Sequence, residues 1–331
     1  MRKILVIQTA FIGDVVLATA LVEKLHQFYP EAAIDFLVRK GNEGLLQEHP
    51  FLRRIIIWNK QQQKFRHLWK LIGEIRREKY DAVINVQRFA ATGILTALSG
   101  APVRIGFNKN PLHFFFTRSV PHIISTADHP LHEVDRNQEL IRTMTDTIPS
   151  RPRLYPSATD DAAVKALKGQ PYIVVAPASV WFTKQFPVEK WIELINKVPD
   201  HIKVYITGGP GDKALADRIL QGVTRKGVEN ICGMHSMLRS VSLQRDALMN
   251  YVNDSAPMHF ASSVNAPVTA IYCSTLPSFG FGPLSEKSTI IETTEALDCR
   301  PCGLHGQASC PKGHFRCAFS INTDRLLDAL K

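Results

Sequence analysis

The segment Tyr251-Val-Asn-Asp-Ser-Ala-Pro-Met-His259 connects a short apolar strand to the start of a helix. Its first three residues predict the strand, and a helix is predicted near residues 257–264. Asp254 and Ser255 are typical helix caps, and Pro257 is favoured in a first helical turn. The N–H groups of such a turn bind anions, so the segment predicts a phosphate site beyond the carboxyl end of a strand.

Apolar strand patterns and helical patterns alternate along the whole chain. Strands are predicted at Ile4–Ile7, Ala33–Val38, Ile55–Trp58, Ala82–Val86, Val103–Ile105, Tyr172–Ala176, Lys203–Thr207, Tyr251–Asn253 and Val268–Tyr272. Helices are predicted near residues 15–28, 62–78, 90–99, 187–198, 211–221, 237–247 and 257–264. This alternation predicts βαβ units, and therefore an α/β protein with parallel sheets and helices on both faces.

The segment Thr147–Pro156 divides the chain, because its three prolines are typical of an extended linker. A chain of 331 residues has the length of about two domains. We therefore expect two Rossmann-like, doubly wound domains that face each other across a cleft. Their predicted ranges are residues 1–155 and 156–331.

The composition limits the class of protein. An apolar fraction of 45% excludes a disordered chain. The apolar run Ile4–Ile7 is shorter than a secretory signal requires, and no run reaches the length of a membrane span. We therefore expect a cytosolic protein.

The net charge of +10 predicts an anionic partner: nucleic acid, a membrane surface or a phosphorylated substrate. Residues 1–165 carry 23 Lys and Arg against 16 Asp and Glu, and residues 53–79 carry nine against two. Five apolar side chains at helical spacing in this segment are expected to pack on the sheet: Phe65, Leu68, Trp69, Ile72 and Ile75. Some of the charged side chains of the segment are expected to face an anion. No helix-turn-helix, zinc-finger or RNP-type motif is present, so we expect no nucleic-acid partner.

The segments after the strands carry the candidate site residues. Thr9–Asp14 follows the first strand, where Gly13 suits a turn and Asp14 is either an N-cap or a functional carboxylate. Lys184 follows Tyr172–Ala176 and is either a phosphate ligand or a solvated lysine. Gly208–Asp212 allows close backbone approach to a ligand, although a plain turn explains it equally well.

Four motifs in this order resemble the family of ADP-heptose:lipopolysaccharide heptosyltransferases over nearly the whole chain. They are Ile12-Gly-Asp14, Ser99-Gly-Ala-Pro-Val-Arg-Ile-Gly-Phe107, Lys184-Gln-Phe-Pro187 and Asn253-Asp-Ser-Ala-Pro-Met-His-Phe-Ala261. Ala256 departs from the glycine usual in the family. If this position requires positive φ, alanine would be strained; if it only needs a small residue, alanine would serve.

The resemblance implies a GT-B fold with an N-terminal acceptor domain and a C-terminal donor domain. It implies inverting, metal-independent transfer of heptose from ADP-heptose to a lipopolysaccharide inner-core acceptor, with no cofactor. Asp14 is the expected general base, and Lys184 the expected cation at the departing ADP. The other expected donor contacts are Gly13, Ser179, Asp212, Asp254, Ser255, Ala256 and His259. Arg88 and Arg104 are expected to anchor the anionic acceptor at the cytoplasmic face of the inner membrane, although structural ion pairs would explain them too.

Four cysteines lie close together near the C-terminus: Cys299, Cys302, Cys310 and Cys317. Cys299 and Cys302 have the spacing of a zinc-ribbon pair, but the second pair does not repeat it. The alternatives are therefore a structural metal site and free thiols that pack a loop. Two other functions also remain open, namely transfer from a different nucleotide sugar and non-catalytic binding of a nucleotide or glycolipid.

Overall fold

The computed structural model describes residues 1–61, 64–126, 128–328 and 330, except for the side chains of Lys64 and Phe65. The chain forms two compact units. Unit 1 contains Met1–Ser125 and Leu131–Tyr155, and unit 2 contains Thr126–Pro130 and Pro156–Lys331. The change of unit after Tyr155 falls at the end of the proline-rich segment 147–156, which contains neither helix nor strand.

Unit 1 contains a six-stranded parallel sheet in the order β3-β2-β1-β4-β5-β6. The strands are β1 (Lys3–Ile7), β2 (Ala33–Arg39), β3 (Leu52–Trp58), β4 (Ala82–Asn85), β5 (Val103–Phe107) and β6 (Arg118–Val120). The helices are α1 (Ile12–Phe28), α2 (Lys64–Glu78), α3 (Ala90–Ala97) and α4 (Glu133–Ile141). Residues Ile4–Ile7 of β1 are completely buried, as expected for the central strand of a sheet covered on both faces.

Unit 2 contains a second six-stranded parallel sheet in the order β12-β11-β10-β7-β8-β9. The strands are β7 (Tyr172–Ala176), β8 (Lys203–Ile206), β9 (Val228–Asn230), β10 (Met249–Asn253), β11 (Val268–Tyr272) and β12 (Ser288–Glu292). The helices are α5 (Ala158–Val164), α6 (Val188–Lys197), α7 (Lys213–Gly222), α8 (Met237–Arg245), α9 (Ala256–Ser263), α10 (Arg316–Phe319) and α11 (Asp324–Asp328).

In each sheet, the first strand along the chain is an inner strand. The next two strands are added on one side of it, and the following three are added on the other side. The strand order therefore reverses beside β1 in unit 1 and beside β7 in unit 2, and ligands of such sheets bind beyond the carboxyl ends at these points. The doubly wound α/β prediction is confirmed. Of the predicted helix 62–78, residues 62 and 63 lie outside the described residues.

Helix α2 packs on the sheet through a stripe that differs from the predicted one. Leu68, Leu71, Ile72 and Ile75 are buried in the core, whereas Trp69 is 63% exposed. The prediction was therefore wrong for Trp69, and the side chain of Phe65 lies outside the described part of the chain. Among the described residues, no helix has the combination of length and apolar character needed to cross a membrane.

Arg53 belongs to an ion-pair network rather than to an anion-facing surface. Its Nε lies 2.9 Å from Oδ1 of the fully buried Asp35, and its Nη2 lies 2.8 Å from Glu78 Oε2. The Tyr80 hydroxyl also donates to Asp35. Arg54 pairs with Glu74 and Glu78 as well. Because Arg53 and Arg54 are ion-paired, the positive charge expected on the surface between residues 53 and 79 is smaller by these two residues.

Arg53→Met is expected to lower the free energy of unfolding by roughly 2–3 kcal/mol, because it leaves the buried Asp35 without its cation. The loss should be smaller than for a fully buried pair, since the Arg53 side chain is 36% exposed. Urea unfolding of the two proteins measures it. Arg76→Met, an exposed change on α2, is the control and should stay within about 0.5 kcal/mol of the wild type. Equal effects of the two substitutions would contradict the structural role of Arg53.

Candidate functional site

The loop after β1 is held by side chains from three segments. Lys60 Nζ donates to the carbonyl oxygen of Thr9 at 3.0 Å and to its Oγ1 at 2.8 Å. Asn42 Nδ2 donates to the Ala10 carbonyl oxygen at 3.0 Å. The buried Gln8 accepts from the Ala10 N–H at 3.2 Å. These bonds fix the backbone that leads into α1 at the carboxyl edge of the sheet.

Asp14 lies in the first turn of α1, but the local structure differs from the prediction. The helix begins at Ile12 rather than near Val15, so Gly13 is helical and Asp14 is the third helical residue instead of the N-cap. Its Oδ2 accepts a hydrogen bond from the Phe11 N–H at 3.2 Å. The side chain is partly exposed. A carboxylate that is oriented by the backbone and reachable from solvent can accept a proton from a bound hydroxyl.

Basic side chains gather on the same unit as Asp14. Burial, together with Arg136 and Arg88, lowers the pKa of His122 to about 4. Burial and the charge of Arg88 lower the pKa of Arg136 to about 10, while Asp14 opposes that change. Arg136 is buried and pairs with Glu133. His122 is therefore neutral near pH 7, and Glu133 offsets the charge of the buried Arg136. Arg88 is the exposed cation of the three, and such a charge favours an anionic ligand.

Two of these basic residues were missed from the sequence. His122 lies just after β6, and Arg136 lies on α4, and neither element was predicted. Arg88 was identified from the sequence as an acceptor-binding candidate. It lies in the exposed segment after β4, at the carboxyl edge of the first sheet. Its guanidinium lies 6.0 Å from the ring centroid of Phe89.

Arg104 is not brought to this edge. It is the second residue of β5, near the amino end of the strand. Its Nη1 donates to the Ala101 carbonyl oxygen at 2.5 Å and its Nε to that of Phe115 at 3.1 Å. These bonds favour a structural role, because the amino ends of parallel strands lie opposite the ligand-binding edge.

In unit 2, the loop after β7 is tied to the end of β10 by Asn253. The Nδ2 of Asn253 donates to the Pro177 carbonyl oxygen at 2.7 Å. Its Oδ1 accepts from the Phe186 N–H at 3.0 Å. The amide is completely buried. Because the two bonds fix both ends of the loop, Lys184 lies on a restrained segment.

Lys184 ends a short 3-10 turn, Phe182–Lys184, and forms an ion pair with Asp254. The distance from Lys184 Nζ to Asp254 Oδ2 is 2.6 Å, and the two side chains are 16% and 10% exposed. Thr275 Oγ1 donates to the same carboxylate oxygen at 2.7 Å. Lys184 is therefore not a freely solvated surface lysine. The pair brings a cation to the carboxyl edge of the second sheet.

The start of α9 lies beside this pair. Ser255 occupies the N-cap position, but its side chain makes no capping hydrogen bond, and the Asp254 carboxylate is directed to Lys184. The prediction that both side chains cap the helix was therefore wrong. Ala256 is the first helical residue. It is not one of the described residues that have a positive φ, so alanine is not strained at this position. His259 is buried, with 5% of its surface exposed.

The remaining donor candidates also follow strands of the second sheet. Asp212 Oδ2 accepts from the Gly209 N–H at 2.8 Å, which closes the short turn after β8. At Gly208 an added Cβ would lie 2.8 Å from Asp212 Cβ, so the turn requires glycine. The Ser179 carbonyl oxygen accepts from Gln185 Nε2 at 2.7 Å. Both turns are thus built by local bonds.

The four C-terminal cysteines line one cavity of about 180 Å³ together with His314. The Cys299 Sγ lies 3.9 Å from His314 Nε2. Burial, with the neighbouring thiols, raises the pKa of Cys302 and raises that of Cys317 to about 11. Among the residues that the structure describes, no three His, Cys, Asp or Glu side chains converge in a way that could hold a metal ion.

The chain is similar to known glycosyltransferases. Residues 68–308 match the model of "Glycosyltransferase family 9 (heptosyltransferase)". Lipopolysaccharide heptosyltransferase 3 of Escherichia coli is 26% identical over 283 residues, covering 80% of this chain and 82% of that protein. A family 9 glycosyltransferase structure from Veillonella parvula has a TM-score of 0.86 at 19% identity, covering 99% and 96% of the two chains. The E. coli ADP-heptose lipopolysaccharide heptosyltransferase II structure has a TM-score of 0.79 at 22% identity, covering 99% and 97%. These two likenesses show the GT-B fold.

Proposed function

Because the chain belongs to glycosyltransferase family 9, we propose that it transfers a heptose from ADP-heptose to an inner-core acceptor of lipopolysaccharide. The names of the similar E. coli proteins support this donor and this acceptor class. The observation that carries the proposal is the Lys184–Asp254 pair beside the start of α9. It joins a cation and a helix N-terminus at the edge where such sheets hold nucleotides.

In this proposal the donor diphosphate lies against Lys184 and the first turn of α9. Small residues at the helix start, Ser255 and Ala256, leave room for the backbone to approach the phosphates. Asp212 binds the ribose hydroxyls from the turn after β8. A carboxylate suits this role because it accepts hydrogen bonds from two neighbouring hydroxyl groups.

The proposed reaction is a single inverting displacement. Asp14 takes the proton from the acceptor hydroxyl as that oxygen attacks C1 of the heptose. The bond from C1 to the ADP oxygen breaks, and its electron pair remains on ADP. Lys184 and the α9 N–H groups stabilise the charge that develops there. Attack opposite the leaving group inverts the configuration at C1.

The acceptor is proposed to bind to unit 1. Arg88, exposed after β4 at the carboxyl edge of the sheet, supplies positive charge for the anionic groups of the inner core. Large apolar side chains are also exposed on this unit; they are Phe114, Phe115, Ile123 and Ile124. Together with the basic surface they support contact with the anionic cytoplasmic face of the inner membrane.

Incubation of the purified protein with ADP-heptose, UDP-sugars and GDP-sugars tests the proposal. Each donor is supplied with and without deacylated core acceptor, and the mass of the acceptor is measured. We expect a gain of one heptose from ADP-heptose alone. Turnover only with UDP- or GDP-sugars would overturn the donor assignment. Tight binding of ADP without transfer to any core acceptor would favour a non-catalytic binding protein.

A further inference from the structure

Lys184 lies against the Cys-rich segment, residues 299–317, to which the proposed reaction gives no role. Gly306 in this segment has a φ of +79°, and a Cβ built on it would lie 2.9 Å from Lys184 Cγ. The same atom would lie 3.0 Å from Thr183 Oγ1. A Cβ at this position would therefore force the Lys184 stem to shift, and the positive φ also favours glycine.

Thr183 forms a second connection to the Cys-rich segment. Its N–H donates to the Gln307 carbonyl oxygen at 3.1 Å, and the Gln307 N–H donates to Thr183 Oγ1 at 2.8 Å. Ser274 Oγ also donates to Thr183 Oγ1, at 2.9 Å. Thr183 is 1% exposed, so water does not compete for these bonds. The segment therefore fixes the backbone turn that carries Lys184.

The Cys-rich segment is itself attached to the end of β11. The Cys302 N–H donates to the Ser274 carbonyl oxygen at 2.9 Å. Arg300 donates from Nε to the Cys273 carbonyl oxygen and from Nη2 to that of Thr275, both at 2.8 Å. Thr275 in turn holds Asp254, the partner of Lys184. Lys184 is thus restrained at its stem and at its charged end by one connected set of bonds.

We propose that Gly306 and Thr183 are positioning residues through which the Cys-rich segment holds Lys184 at the donor diphosphate. This inference rests on the proposed function, in which Lys184 stabilises the departing ADP. A lysine side chain has many rotamers, and ordering them opposes binding. Packing the stem on Gly306 and fixing the turn through Thr183 orders the side chain before the donor arrives.

A matched pair of glycine substitutions tests the contact with the stem. Gly303 has a φ of +70° and no heavy atom within 4 Å of a built Cβ, so Gly303→Ala adds backbone strain without touching Lys184. Gly306→Ala adds the same kind of strain and also displaces the lysine. We expect Gly306→Ala to lower kcat roughly 10–100-fold, as small misplacements of catalytic groups do, with an unchanged KM for the acceptor. Gly303→Ala should stay within about twofold. Equal effects of the two substitutions would overturn the proposal.

Thr183→Val supplies an independent test, because it keeps the shape of the side chain and removes the Oγ1 acceptor. Thr183→Ser keeps the acceptor and should restore kcat. If Thr183 acts through Lys184, Thr183→Val should have little further effect on kcat when combined with Lys184→Ala. Additive losses in the double variant would overturn the positioning role. Unchanged turnover of the single variant Lys184→Ala would overturn the phosphate role of Lys184 and, with it, this inference. If Lys184→Ala slows transfer but the losses are additive, the positioning role alone fails and the proposed function stands.

Discussion

Asp14→Asn is expected to lower kcat by about 10²–10⁴-fold, the range over which a general base contributes. The asparagine keeps an oxygen that can accept the Phe11 N–H bond, so the start of α1 should be preserved. It cannot take a proton from the acceptor hydroxyl. We therefore expect an ADP dissociation constant and a free energy of unfolding close to those of the wild type. Calorimetry with ADP, urea unfolding and initial rates of transfer measure the three quantities.

Asp160→Asn is the matched control for this substitution. Asp160 is also the third residue of its helix, α5, and its Oδ2 accepts from the Ser157 N–H at 3.1 Å. The change reproduces the loss of charge at a helix start in a residue that has no proposed part in the reaction. Its kcat should stay within about twofold of the wild type. Near-normal turnover of Asp14→Asn would remove Asp14 from the role of base.

The residues that the sequence located best lie between a buried strand and the helix that follows it. β7 and β11 have the predicted bounds, because each consists of five consecutive buried residues of which at least four are apolar or aromatic. Lys184 lies between β7 and α6, and Asp254 lies between β10 and α9, so parallel topology places both at one edge of the sheet. The topology explains why the two residues lie at the same edge although 70 positions separate them, and the structure shows that they form an ion pair.

Four of the elements that sequence reasoning missed, β6, β9, β12 and α4, lie at a sheet edge or contain buried polar residues. β6 and β9 have three residues each, and β12 is largely uncovered, so none shows a clear apolar pattern. α4 buries Arg136, and a charged residue at a buried position interrupts the apolar pattern by which a helix is predicted. The contact of Gly306 with Lys184 depends on how the Cys-rich segment folds back on the rest of unit 2. Neither residue spacing nor strand periodicity predicts such a contact.

Lys184→Ala is expected to slow transfer by about 10²–10³-fold, the loss found when a single group that stabilises a developing anion is removed. It should also weaken ADP binding. Two effects combine, because the cation is lost and Asp254 keeps its negative charge without its partner, 10% exposed beside the proposed diphosphate site. Lys197→Ala is the control, since this lysine of the same unit lies 2.9 Å from Glu193 and 2.8 Å from Asp324 in an exposed cluster. Its rate should not change.

The double variant Lys184→Ala with Asp254→Asn separates these two effects. Asparagine at position 254 keeps an oxygen for the Thr275 hydroxyl and removes the repulsion of the diphosphate. If Lys184 stabilises the departing ADP directly, the double variant should recover part of the ADP affinity while kcat stays low. If Lys184 only neutralises Asp254, affinity and kcat should recover together. The second result would assign charge stabilisation to the α9 N–H groups and leave the lysine with a role in the unreacted enzyme alone.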